Sequence, residues 1–253
     1  MFNPKTERIK KLAELFPKAI SDLENIFGES ANIYIDWQNV IHWQEKLGWH
    51  FNIRRMKQFF DSFDVIQSVK IYTGTLDSDV KSEGQIKELD DLGYDVSTKP
   101  VKLIPISIDV SSISSNSPDI LKNFISKNLL SKLDLGTIEY LNGKLLDLNK
   151  RGILKIVEQK CNFDVELGMD IQKNIDSDGV KNYILWSGDS DFADPISRIR
   201  ENNKNAVIFS ISRKVTSELN QTKVLIFDVR KIKEFVCWPK EIPQGIKSKI
   251  SVL

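Results

Sequence analysis

The stretch that decides the fold is Ile184–Phe192, which reads ILWSGDSDF. Its apolar start is typical of a buried β-strand, and Gly188 lets the backbone turn tightly directly after it. Two carboxylates, Asp189 and Asp191, then stand one residue apart. Like charges this close repel, so a stable structure answers them with water, a positive group or a metal ion. The end of this strand is therefore the first candidate for a functional site.

Strands alternate with helices on both sides of this stretch. The predicted strands are residues 32–36, 68–73, 94–101, 183–186, 206–209 and 224–228. The predicted helices include residues 5–27, 53–63 and 80–92, and helical sequence fills most of the remaining gaps. Such alternation favours an α/β fold, in which a parallel sheet carries helices on both faces.

Other regions flank or interrupt this alternation. Residues 103–151 contain a Ser-rich segment and helix-like apolar sequence, and Asn142-Gly143 between alternating apolar residues predicts a hairpin turn. We interpret this region as an insertion or subdomain. The predicted organisation is an N-terminal helical extension at 1–30, an α/β domain at 31–230 with an insertion at about 103–151, and a peripheral C-terminal tail at 231–253.

The composition excludes several classes of protein. The chain has 253 residues, a net charge of +1 and two cysteines, which predicts no bulk field for nucleic acid, no disulfide framework and no zinc array. The N-terminus lacks the apolar core of a signal peptide, and no apolar run is long enough to cross a bilayer. The histidines, His42 and His50, lie outside any motif, which argues against a histidine-dependent ribonuclease. We expect a cytoplasmic protein without a membrane partner.

Acidic side chains stand where two of the predicted strands end. Asp36 closes the first strand and Asn39 follows three residues later, while Asp189 and Asp191 follow the fourth strand. Because ligands bind beyond the carboxyl ends of strands in open parallel sheets, these side chains should meet at one edge. Each acid taken alone could be an ordinary helix N-cap or first-turn acid, and Asn39 could equally cap the helix that follows.

The segment KCNFDVELGMD, residues 160–170, supplies a further acid. It reads as the start of a helix, in which Gly168 stands one turn after Asp164 and leaves space beside it. Asp170 points to another face and is at most an outer residue of the site. Oxygen ligands of this kind suit Mg²⁺ or Mn²⁺. Such an ion would neutralise the clustered acids and support phosphodiester hydrolysis.

Three motifs together carry a family resemblance. YIDWQN, KCNFDVELGMD and ILWSGDSDFADPISRIR resemble, in order and spacing, the motifs of the NYN domain, a PIN-like nuclease group that includes the bacterial LabA-like proteins. The resemblance covers residues 31–102 and 152–230. It implies a three-layer α/β/α PIN-like fold with a central parallel sheet, an acidic pocket for Mg²⁺ or Mn²⁺, and a ribonuclease-like activity on RNA.

The resemblance and the strand ends together give the predicted site residues. The acids expected to bind metal and act in catalysis are Asp36, Asp164, Asp189 and Asp191. The side chains expected near the substrate are Asn39, Ser187, Lys160, Arg213 and Lys214. Asn39 would orient Asp36 or a water molecule, and Ser187 and Lys160 would lie near the scissile phosphate. Arg213 and Lys214 follow the fifth strand, so they are candidates for contacts with backbone phosphates.

The sequence departs from the family pattern in two places. Trp37 stands where the family commonly has a small residue. It could stack on a base, but tryptophan is usually largely buried, so we expect it to pack beside the sheet. The gap from Lys160 to Asp164 is one residue longer than in the family pattern, which weakens the case for Lys160.

We predict a metal-dependent endonuclease with RNA as its expected substrate and single-stranded DNA as an alternative. In the predicted mechanism Asp36, Asp164 and Asp189 hold the ion, and Asp191 helps to hold it or positions the attacking water. A catalytically silent module that binds RNA or a protein also fits, as does a phosphatase or flap-type DNA nuclease. The N-terminal helix and the insertion are the candidate surfaces for a homo-oligomer or a protein partner.

Overall fold

A six-stranded sheet forms the centre of the larger of two compact units. The structure is a computed structural model and describes residues 1–76, 79–107, 109–112, 114–153, 155–177, 179–211, 219 and 222–250. The larger unit comprises Met1–Pro100 and Cys161–Leu253, and the second unit comprises Val101–Lys160. The predicted insertion, 103–151, falls inside the second unit.

The strands and helices follow one another along the chain much as the alternation predicts. The strands are β1 (Ala31–Asp36), β2 (Ile66–Thr75), β3 (Asp95–Pro100), β4 (Lys102–Ser107), β5 (Lys155–Lys160), β6 (Asn182–Trp186), β7 (Asn205–Ser210) and β8 (Leu225–Asp228). The helices are α1 (Glu7–Leu15), α2 (Pro17–Phe27), α3 (Trp37–Leu47), α4 (Ile53–Phe60), α5 (Val80–Asp91), α6 (Lys127–Leu130), α7 (Leu135–Lys150), α8 (Asp164–Asp176), α9 (Ala193–Glu201), α10 (Lys233–Val236) and α11 (Gln244–Ile250). Within the described ranges, no helix combines the length and the apolar character needed to cross a membrane.

The sheet has the strand order β3-β2-β1-β6-β7-β8, and every neighbouring pair runs parallel. The carboxyl ends of β1 and β6 are therefore adjacent at one edge, because these two strands pair directly in the middle of the sheet. This is the edge where ligands bind in open parallel sheets.

Alternate residues of the central strands face two different cores. Ile33 and Ile35 of β1 pack in one cluster with side chains from α1 to α4, whereas Tyr34 packs in a second cluster with side chains from α8 and α9. The two-residue period of a strand produces this division. The sheet is the middle layer of three, so the predicted three-layer α/β/α fold with a central parallel sheet is confirmed.

The single helix predicted over 5–27 is wrong, because the chain forms two helices that meet at Phe16. Pro17 has no backbone N–H and is tolerated only in the first turn of a helix, so it opens α2 rather than continuing α1. The predicted stop at Gly28 is confirmed, since this residue ends α2 with a φ of +56°.

The hairpin predicted at Asn142-Gly143 is also wrong, because both residues lie inside α7. The buried Asn142 amide donates to the carbonyl oxygens of Ser115 and Ser117 at 2.8 and 2.7 Å. The side chain thus makes a tertiary contact where the dipeptide rule expects a turn. The antiparallel pair of the second unit is instead formed by β4 and β5.

The C-terminal tail is not peripheral as predicted, since Phe235, Val236 and Cys237 have no solvent exposure and pack in the main core. Their backbone is held by arginines: Arg8 donates to the carbonyl of Phe235 at 3.1 Å, and Arg55 donates to that of Cys237 at 3.2 Å. The lysines and prolines of this segment made it read as peripheral, although it contains a short helix with an apolar face.

Candidate metal centre

The first acid of the site closes β1. Asp36 is also the N-cap of α3, where its Oδ1 accepts a hydrogen bond from the backbone N–H of Asn39 at 3.3 Å. Its Oδ2 accepts from the hydroxyl of Ser187 at 3.2 Å. Burial raises the pKa of Asp36, and the negative charge of Asp189 raises it further. The Asp36 carboxylate is thus fixed by two donors in a place that disfavours its charge.

The end of β6 continues into a chain of short-range hydrogen bonds. Ser187 is fully buried, and its Oγ accepts from the backbone N–H of Asp189 at 3.3 Å. Asp189 in turn caps the 3₁₀ helix Ser190–Phe192, since its Oδ1 accepts from the N–H of Asp191 at 3.3 Å. The N-cap interpretation of Asp189 is therefore confirmed, and its role at the site stays a prediction. The turn presents Asp189 and Asp191 beyond the strand end.

Asp164 is the first residue of α8 and comes from a third element. Its backbone N–H donates to the side-chain Oδ1 of Asn162 at 2.8 Å, which fixes the entry into the helix. The N-cap residue, Phe163, makes no side-chain cap hydrogen bond, and the first turn carries two acids, Asp164 and Glu166, near the positive end of the helix dipole.

The structure brings Asp164, Asp189 and Asp191 together. One carboxylate oxygen of each lies within 4.8 Å of the others. The pKa of Asp164 is raised to about 6 by partial burial and by the neighbouring charges of Asp191 and Asp189. Three oxygen donors that repel one another fit a hard divalent cation such as Mg²⁺ or Mn²⁺, because the cation replaces repulsion by coordination.

Asp36 lies outside this group of three and is linked to it through Ser187 and through the charge of Asp189. Asn39 does not cap the following helix, because Asp36 has that position. Instead the Oδ1 of Asn39 accepts from the N–H of Gly188 at 3.4 Å, which ties the start of α3 to the turn after β6. Asn39 and Ser187 thus both join the ends of β1 and β6.

The predicted cations are Lys160, Arg213 and Lys214. Lys160 is the exposed last residue of β5 in the second unit. Arg213 and Lys214 lie outside the described residues. Their roles at the substrate stay predictions.

Further residues of the predicted motifs have structural contacts. Asp170 accepts a hydrogen bond from Tyr72 and forms an ion pair with Lys70, each at 2.8 Å, so it fastens α8 to β2. Gly168 faces the ring of Pro195 in α9. A Cβ added at Gly168 would lie 3.7 Å from that ring, which is an ordinary van der Waals distance. Trp37 is buried in the core beside the sheet, as predicted.

Sequence reasoning missed Asn162 and Lys99. Asn162 stands two residues before Asp164, a position at which an Asn side chain commonly accepts a backbone hydrogen bond, so local spacing could have found it. Lys99 lies at the end of β3 and pairs with Glu166 at 2.9 Å. No local signal identifies this contact, because its partners are 67 residues apart.

Comparison with known proteins shows which family part of the chain resembles. Residues 134–227 match the family model described as the NYN domain. This part of the chain is similar to an NYN domain. The matched residues of the NYN domain include Asp164, Asp189 and Asp191, while Asp36 precedes them.

The relatives that match the chain over most of its length are distant. The "Low amplitude and bright protein LabA" of Synechococcus elongatus is 23% identical over 205 residues, which cover 81% of this chain and 86% of that protein. A solved structure of a protein of unknown function from Vibrio parahaemolyticus is 19% identical, with a TM-score of 0.49 over 82% of this chain and 96% of that one.

Proposed function

We propose that this protein is an NYN-type nuclease, a metal-dependent endonuclease that hydrolyses phosphodiester bonds, with RNA as its substrate. The observation that carries the proposal is the meeting of three carboxylates, from the turn after β6 and from α8, at the ligand-binding edge of the sheet. A protein that only binds RNA gains nothing from acids facing phosphates, because the two charges repel.

In the proposed site, Asp164, Asp189 and Asp191 would hold Mg²⁺ or Mn²⁺. When bound, such an ion supplies a Lewis acid that lowers the pKa of water and stabilises charge on the phosphoryl oxygens. We retain Asp191 as a ligand because its carboxylate meets the other two.

We assign the positioning of the attacking water to Asp36. Its carboxylate is fixed by Ser187 and by the N–H of Asn39, and its raised pKa suits a group that accepts a proton from water. The Ser187 hydroxyl donates a hydrogen bond to Asp36, so we assign Ser187 to the support of that acid rather than to a contact with phosphate. Asn39 is placed in the same supporting role.

The test is cleavage of labelled single-stranded RNA and of matched single-stranded DNA with Mn²⁺, with Mg²⁺ and with EDTA. Asp189→Asn keeps the shape of the side chain and removes a ligand charge, so we expect cleavage to fall about 100-fold or more. Asp194→Asn is the matched control, because Asp194 is an exposed first-turn acid of α9 outside the cluster. Cleavage that persists in EDTA or in Asp189→Asn would overturn the proposal.

A second candidate function is partner binding without cleavage. Large apolar side chains of the second unit are exposed, among them Leu103, Phe124, Leu129, Leu135 and Tyr140. Exposed apolar groups in such number are typical of binding surfaces. If the folded protein binds Mn²⁺ and RNA but cuts neither RNA nor DNA, the binding function replaces the nuclease.

A further inference from the structure

Lys99, at the carboxyl end of β3, contacts three residues around the start of α8, namely Cys161, Phe163 and Glu166. Its ammonium nitrogen lies 2.9 Å from both carboxylate oxygens of Glu166. The same nitrogen stands 4.8 Å from the centre of the Phe163 ring, a distance typical of a cation–π contact. The thiol of Cys161 donates to the backbone carbonyl of Lys99 at 3.8 Å.

These contacts lie on both sides of Asp164 in the sequence. Phe163 immediately precedes Asp164, is buried, and packs its ring 5.8 Å from that of Tyr72 on β2. Glu166 follows Asp164 within the first turn of α8. Lys99 of β3 therefore contacts the start of α8 on both sides of Asp164, the residue that meets Asp189 after β6.

The Lys99–Glu166 pair contributes little to overall stability. Its side chains are 33% and 41% exposed, and water screens ion pairs in such surroundings. The same pair places a positive charge on a carboxylate in the first turn of α8, the turn that also carries Asp164. Its effect is therefore local, on the geometry and charge of the helix start.

The rest of α8 is fastened independently of Lys99. More than one turn after Asp164, Asp170 accepts a hydrogen bond from the hydroxyl of Tyr72 at 2.8 Å. Further on, the amide of Asn174 donates to the hydroxyl of Tyr34 at 2.9 Å. Loss of the Lys99 contacts should therefore leave the helix on the sheet and loosen only its first turn.

We propose that Lys99 is a positioning residue of the candidate metal centre, which holds the start of α8 so that Asp164 meets Asp189 and Asp191. This inference rests on the proposed function, because it takes the three carboxylates as the ligands of a divalent ion. Outer partners that orient metal ligands typically change metal affinity about 10- to 100-fold when they are removed.

The experiment measures Mn²⁺ affinity by titration calorimetry for the wild type, Lys99→Met and Glu166→Gln. We expect both variants to bind Mn²⁺ about tenfold more weakly or worse, with unchanged thermal unfolding. Lys99→Met is the sharper test, because removing a positive charge by itself would strengthen cation binding. Weaker binding in that variant therefore reports lost positioning.

Two further variants control for the general effect of removing a lysine. Lys99→Arg keeps both the ion pair and the ring contact, so its Mn²⁺ affinity should stay within about twofold of the wild type. Lys57→Met is the matched control, since Lys57 of α4 pairs with Asp61 at 2.6 Å and stands 5.9 Å from the centre of the Tyr94 ring. It should bind Mn²⁺ like the wild type.

The outcomes separate the two proposals. A wild type that binds no Mn²⁺ overturns the metal centre itself and the role of Lys99 with it. A wild type that binds Mn²⁺ while Lys99→Met binds it equally well or better overturns the role of Lys99 alone. In cleavage assays the positioning role predicts a lower kcat with an unchanged KM. A raised KM with wild-type Mn²⁺ affinity would make Lys99 a substrate contact and also overturn the proposal.

Discussion

At the scale of the residue, the site places carboxylates that repel one another in positions fixed by hydrogen bonds. Asp164 is partly buried beside two other acids, and its pKa is raised to about 6. A carboxylate in such surroundings destabilises the folded chain whenever it is ionised without a cation. Sites of this kind are retained for function at a cost in stability.

This raised pKa gives a prediction for the metal-free protein. The folded state binds the proton of Asp164 more tightly than the unfolded chain does, whose pKa is near 3.8. The stability that this proton confers is present below pH about 4 and is lost as the pH rises through about 6. In EDTA, Asp164→Asn should therefore unfold at a higher temperature than the wild type at pH 7.

The comparison is made by thermal unfolding between about pH 4 and pH 7, with Asp194→Asn as the control for removal of an exposed acid. The advantage of Asp164→Asn should shrink toward the acidic end and reverse at the neutral end when Mn²⁺ is added. An advantage that does not change with pH would show that Asp164 ionises normally.

Residue positions in the site were only partly readable from the sequence. The meeting of Asp189 with Asp191 and Asp164 follows from strand ends and motif spacing. The hydrogen bond from Ser187 to Asp36 does not, because it forms only once β1 and β6 pair in the sheet. Lys99 is invisible for the same reason, since its contacts are made only once β3 and α8 pack.

At the scale of the element, the junction between α2 and β1 shows how a single glycine fixes a layer on the sheet. Gly28 has φ +56° and ψ −131°, a backbone conformation that residues with a side chain rarely adopt. A Cβ there would lie 2.8 Å from the amide nitrogen of Asn182, which itself donates to the carbonyls of Phe27 and Ser30. The glycine thus lets α2 end against the first residue of β6.

Gly28→Ala should therefore destabilise the protein by roughly 3 kcal/mol, since it adds backbone strain and displaces the Asn182 amide. Gly48 is the matched control, because it also ends a helix at positive φ, +68°, but a Cβ added there would meet no atom within 4 Å. Gly48→Ala should cost about 1 kcal/mol. Urea unfolding measures both, and equal costs would contradict the role of Asn182.

The type of an element was predicted correctly where a sequence pattern extends over many residues. The prediction failed where a single residue determines the local structure. The alternation of strands and helices predicted the sheet, because it extends along most of the chain. Pro17 broke a predicted helix, although its missing N–H was visible in the sequence. Asn142-Gly143 misled because the turn preference of the dipeptide is weaker than the tertiary bonds of the Asn142 amide.

At the scale of the whole molecule, the parallel sheet of the larger unit gathers the acids at one edge. β1 and β6 pair directly, so Asp36 and the turn that carries Asp189 lie at the same edge, while α8 returns Asp164 to Asp189 and Asp191. The C-terminal segment completes the core that packs against α1 to α4. The centre of its buried Phe235 ring lies 4.5 Å from that of Phe59 in α4. Sequence reasoning missed this closure because hydrophobic burial of a short segment depends on a distant partner.

The most direct test of the account is the position of a bound ion. Crystals grown with Mn²⁺ would be measured at the manganese absorption edge, beside crystals of Asp189→Asn. The account predicts an anomalous peak at coordination distance, roughly 2.0–2.3 Å, from carboxylate oxygens of Asp164, Asp189 and Asp191, and a lost or weakened peak in the variant. A peak elsewhere, or an undiminished peak in Asp189→Asn, would contradict it.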